Sequence, residues 1–98
     1  MFINIIDSRR KIVAGCDKEL IGKVFEEGDF QLDVKENFYK GVEASKEDVI
    51  KILEDMKKED ATFNLVGNRI VDAAIECGVL KEENAGEIDG VKFGLILI

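Results

Sequence analysis

Four residues of the stretch "NLVGNR", Asn64, Gly67, Asn68 and Arg69, have types and spacing that suit a binding chemistry. The first turn of a helix leaves backbone N–H groups unpaired, and a glycine there lets a ligand approach without meeting a Cβ. The Asn68 amide and the planar guanidinium of Arg69 would add donors, so the four together suit a phosphate or carboxylate. The fixed glycine spacing and the lysine of a nucleotide-binding loop are missing. A plainer reading stands beside this one. Arg69, Asp72 and Glu76 fall at i, i+3 and i+7 and could form an ordinary solvated face, while Gly67 also fits a close-packing position.

A second candidate is the basic run "SRRK", where Arg9, Arg10 and Lys11, with Lys23 further on, could contact phosphates; such a run is also an ordinary solvated turn. Residues 1–23 hold five basic and three acidic side chains, whereas the rest of the chain holds nine basic and eighteen acidic. The formal charge of −7 therefore excludes a protein that coats nucleic acid nonspecifically, yet leaves room for a compact basic patch on an acidic body.

Other chemistries are excluded by composition. There is no histidine, which removes the commonest general base and the commonest metal ligand. Cys16 and Cys77 are too few for a disulfide framework and too far apart for a zinc knuckle or redox pair, so they read as small apolar fillers. The acidic clusters "FEEGD" and "KKEDA" lack the alternating oxygen-ligand spacing of a calcium loop and read as solvated loops. No cofactor, metal or acid/base couple is nominated. No run approaches the ~18 apolar residues of a membrane span, and "MFINIIDSRR" reverses the charge order of a signal peptide, so a cytoplasmic protein without membrane association is expected.

The elements that must position these residues follow from periodicity. With 46% apolar and 36% charged residues, residues 1–98 are expected to fold as a single domain. "FINII" and "KIVAGC" read as a hairpin with Arg9 and Arg10 at its tip. "DKELIGK" reads as a helical turn begun by Asp17 and followed by loop, and "FQLDV" as a third strand before "KENFYKG" turns the chain. "SKEDVIKILEDMKK" is a helix capped by Ser45, with Val49, Ile52, Leu53 and Met56 on one apolar face. For the second helix, either residues 61–66 form a strand that turns at Gly67, or Asn64 is the N-cap and the helix runs from Leu65. The second option is preferred because it aligns Val66, Ile70, Ala73, Ala74 and Cys77, and Gly78 ends it. "GEIDGVKFGLILI" (86–98) carries the Asp-Gly pair of a hairpin. The expected class is α+β: a mainly antiparallel sheet of about five strands with two main helices on one face.

At "DKELIGKVFEEGDFQLDV", at the Ser-capped helix and at "NLVGNRIVDAAIECGVL", the sequence resembles a family of small archaeal proteins known as domain of unknown function 424. The resemblance covers nearly the whole chain and rests on Gly22, Lys23, Gly28, Gly41, Asn64, Val66, Gly67 and Arg69. Members often carry a Pro-His-Ala-Gln type stretch after the last turn, where this chain has "VKFGLILI". The resemblance implies an archaeal cytoplasmic protein loosely linked with RNA and translation, with no established activity. The leading expectation is a noncatalytic RNA- or ribonucleoprotein-binding module using Arg9, Arg10, Lys11, Lys23 and Arg69 on phosphates. Alternatives are a protein-interaction module whose acidic surface docks on a basic protein partner, and an enzyme acting on a small anionic metabolite at Gly67.

Overall fold

The apolar-rich segments Phe2–Ile6 (β1) and Ile12–Cys16 (β2) pair antiparallel, with Phe2 opposite Cys16 and Ile6 opposite Ile12, so residues 7–11 form the tip of a hairpin as the sequence predicts. The computed structural model describes residues 1–97; Ile98, the last residue of the predicted C-terminal strand, lies outside the described residues. Thr62–Val66 (β6) runs parallel to β2 and lies between it and Val91–Ile96 (β8), which is antiparallel to β6. Val42–Glu43 (β5) and Gly86–Ile88 (β7) are the edges of a six-stranded sheet ordered β5-β1-β2-β6-β8-β7. Asp89 and Gly90 make the turn between β7 and β8 that the Asp-Gly pair predicts.

Two helices cover one face. Lys46–Lys58 (α2) begins where the Ser45 hydroxyl accepts the Asp48 N–H at 3.3 Å, with Glu47 and Asp48 at its positive end and Lys57 and Lys58 at its negative end. Asn68–Glu76 (α3) ends at Gly78, whose φ of +81° lets its N–H and that of Val79 reach the Ile75 and Ala74 carbonyls at 3.1 and 3.0 Å. Val49 and Leu53 of α2 and Ile70, Val71 and Ala74 of α3 pack on Ile3, Val13, Phe63 and Leu65.

The opposite face holds the predicted strand at "FQLDV" together with elements the sequence did not predict. After a single 3-10 turn at Lys18–Leu20, the stretch read as loop is a strand, Val24–Glu27 (β3), paired with Phe30–Asp33 (β4) across Gly28 and Asp29. This hairpin and the short helix Glu36–Tyr39 (α1) place Phe25, Leu32, Val34 and Tyr39 on Phe2, Ala14, Cys16 and Val66. They cover only one end of that face. The row nearest the β1–β2 tip, Ile6, Ile12 and Thr62, remains half-exposed, and Leu95, level with Asn64, is 54% exposed.

Candidate functional site

The preferred start of the second helix is corrected by the structure: Asn64 lies in the middle of β6, and α3 begins only at Asn68. A central strand buried on both faces is apolar almost continuously, and that pattern does not distinguish strand from helix. Backbone geometry does. Gly67 has φ +125° and ψ +146°, outside any helix and in a region that essentially only glycine occupies.

The reason is a single side chain. Asp17, at the end of β2, is 3% exposed and aims its carboxylate at the first turn of α3, accepting from Arg69 N–H at 3.0 Å and Ile70 N–H at 2.9 Å. Its own N–H donates to Val66 O at 3.0 Å. A Cβ on Gly67 would sit 2.3 Å from the Asp17 Cγ. Two of the backbone donors that the sequence offers to an external anion, Arg69 and Ile70 N–H, are thus held by an internal carboxylate. Asp17 makes no cap bond to the 3-10 turn that follows it, so its expected local role is replaced by a distant one. Burial pushes its carboxyl above the usual carboxylate range, against the opposing pull of the two N–H bonds.

Asn68 is also engaged. Its Oδ1 accepts Lys92 N–H at 2.8 Å, while Gly67 N–H donates to Lys92 O at 2.8 Å, stitching the end of β6 to the start of β8. Arg69 is exposed beside a shallow cleft of about 450 Å³ that it shares with Ser45, Lys46 and Asp72. Arg69, Asp72 and Glu76 are all exposed, as the plainer reading of a solvated face has it, and the ion pairs there reach other elements: Asp72 meets Lys92 at 3.1 Å, and Glu76 meets Lys46 at 2.8 Å.

The basic residues do not form one patch. Arg9 and Arg10 are exposed at the tip of the β1–β2 hairpin, and Lys11 pairs there with Glu59 at 3.2 Å. Lys23 and Arg69 lie toward the other end of the sheet, beyond Cys16, with β2 between them and the tip. From Lys11 to Asp17 the strand advances roughly 20 Å at about 3.3 Å per residue.

The family described as Protein of unknown function (DUF424) has a model that matches residues 6–97. The chain belongs to this family. This DUF424 member is also similar to a crystal structure of an uncharacterized conserved protein from Methanopyrus kandleri, with a TM-score of 0.81 and 22% identity over 97% of this chain and 88% of that one. At that identity the likeness speaks for the fold alone. No curated protein matches. No helix among the described residues of this DUF424 chain is long and apolar enough to cross a membrane.

Two features of the DUF424 chain escaped the sequence reading. Asp17 is one; the signal was an acidic residue ending an apolar strand, which marks a buried carboxylate that needs donors. The strand Val24–Glu27 that pairs with the predicted strand at "FQLDV" is the other, and its signal was the Gly28-Asp29 pair just before that alternating run. Phe30 beside that turn is 71% exposed.

Proposed function

We propose that this chain is a noncatalytic RNA- or ribonucleoprotein-binding module that docks through the end of the sheet from which the β1–β2 hairpin projects. The observation that supports it is the exposure of Arg9 and Arg10 at the hairpin tip, directly beyond the half-exposed row of Ile6, Ile12 and Thr62. Arginine forks suit phosphate oxygens, and an apolar row beside them suits the mixed protein and RNA surface of a ribonucleoprotein. Lys11 is a lesser contributor because Glu59 already faces it. Lys23 and Arg69 lie too far along the sheet to share one short phosphate run with the tip.

Arg9→Ala with Arg10→Ala tests the reading. Without the two guanidinium groups to neutralise phosphates, the slope of log affinity against log salt should fall by roughly 1.4 to 1.8 in filter binding. Partners that copurify with the native protein should also disappear after nuclease treatment. An unchanged slope together with nuclease-resistant partners overturns the proposal.

A further inference from the structure

The β3–β4 hairpin is acidic along its length, as is the neighbouring 82–91 stretch with Glu82, Glu83, Glu87 and Asp89 and no basic residue. Between Val24 and Asp33 there are four carboxylates, Glu26, Glu27, Asp29 and Asp33, and no lysine or arginine. The ion pairs among the described residues join Lys11, Lys18, Lys40, Lys46 and Lys92 to carboxylates elsewhere; none reaches this hairpin. Two of the four do make neutral contacts: Glu26 accepts from the Gln31 amide at 3.0 Å, and Glu27 accepts the Asp89 N–H at 3.0 Å. Neither contact offsets the charge.

Amid these carboxylates stands an aromatic ring. Phe25 and Leu32 face each other across the hairpin and reach the core, whereas the next pair on the same side, Glu27 and Phe30, lies beyond it and leaves Phe30 71% exposed. Glu27 ties the hairpin to the β7–β8 turn, so the ring is presented on an anchored support. An anchored exposed aromatic surrounded by uncompensated negative charge is a surface matched to cations on apolar stems, which can cross the ring face while meeting carboxylates.

We propose that the β3–β4 hairpin docks a basic, arginine- or lysine-rich polypeptide segment, with Phe30 as the contact at its centre and Glu27 and Asp29 beside it. The site is independent of the β1–β2 tip, so either can fail without the other. An RNA partner is disfavoured here by like charge.

The test uses the full chain and a labelled oligoarginine peptide, titrated at low and at physiological salt. Phe30→Ala, and separately Glu27→Gln with Asp29→Asn, should each weaken binding by about tenfold, the order of one central contact. Glu27→Gln keeps an acceptor for Asp89 N–H. Phe30→Trp should retain binding and, in a chain with no tryptophan of its own, should report it through a change in fluorescence. The control is Glu54→Gln with Asp55→Asn, which removes as much charge from the exposed side of α2 and should leave affinity unchanged. Equal weakening in the control and the hairpin variants would reduce the effect to general attraction and overturn the proposal. So would an unchanged affinity in Phe30→Ala.

Discussion

Gly67→Ala should destabilise the protein by about 1.5 to 5 kcal/mol. Two costs combine. Holding a non-glycine residue at φ +125° and ψ +146° costs about 1 to 3 kcal/mol. The new methyl would also lie 2.3 to 2.7 Å from three atoms of the Asp17 carboxylate, which must then move. Displaced, Asp17 releases Arg69 and Ile70 N–H, and losing a helix cap costs about 0.5 to 2 kcal/mol. A domain of this size holds about 5 to 15 kcal/mol in total, so the variant should be folded but fragile. The assay is a urea titration followed by far-ultraviolet circular dichroism. With a dependence of about 1 to 3 kcal/mol per molar urea, the midpoint should fall by at least ~0.5 M. Asp17→Ala supplies the second arm of a double-mutant cycle. Because it removes the group that the methyl strikes, the double variant should lose less than the two singles combined. A loss below ~1 kcal/mol in Gly67→Ala, or strict additivity in the cycle, would refute the claim that the glycine exists to admit the carboxylate.

Two further outcomes follow from buried ionisable groups. Since burial raises the Asp17 pKa above 3.8, the folded protein binds more protons than the unfolded chain between that value and the folded one. The stability lead of the wild type over the non-titrating Asp17→Asn is therefore greatest below this window and shrinks as pH rises through it. Paired urea titrations from acid to neutral pH check this, and a lead that grows with pH would mean that the two N–H bonds outweigh burial. Cys16 is fully buried, and burial, with Asp17 beside it, pushes its thiol up to about 11, so it should stay unmodified by a thiol reagent at neutral pH until the protein unfolds. The half-buried Cys77 should react first; two thiols reacting at one rate in the native state would contradict this.

How much of this was legible depends on the range of the interactions. The Ser45 cap, the acidic first turn and the spacing of Val49 and Leu53 are local, and α2 came out where they place it. The Asp-Gly turn likewise located β7 and β8. The β6 strand carries a helix-like pattern because its environment is tertiary: with β2 on one side and β8 on the other, Phe63 and Leu65 face the helices and Val66 faces the hairpin. The sequence around Asp17 suggests only a local cap, because nothing near it names Arg69 and Ile70 as its donors. In the candidate site, residue types were readable but the internal acceptor was not: Gly67, Asn68 and Arg69 do sit at a helix start, and Asp17 holds two of its backbone donors, Arg69 and Ile70 N–H. The β1–β2 tip was correctly placed, but its separation from Lys23 and Arg69 follows from β2 lying between them.

The cap that Asp17 supplies arrives from 53 residues upstream of Ile70, and this bears on the order of folding. A nine-residue helix is too short to persist alone in water, and α3 has no capping side chain of its own. It can be completed only after β2 has found β6, the parallel pairing with the longest intervening chain in the centre of the sheet. Closing so large a loop costs entropy before any contact repays it, which places this step late and makes it slow. Until then, the helix from Ser45 has a capping side chain from its own sequence, whereas the segment from Asn68 onward has none. The start of α3 is thus completed by the pairing of two distant strands rather than by residues of its own.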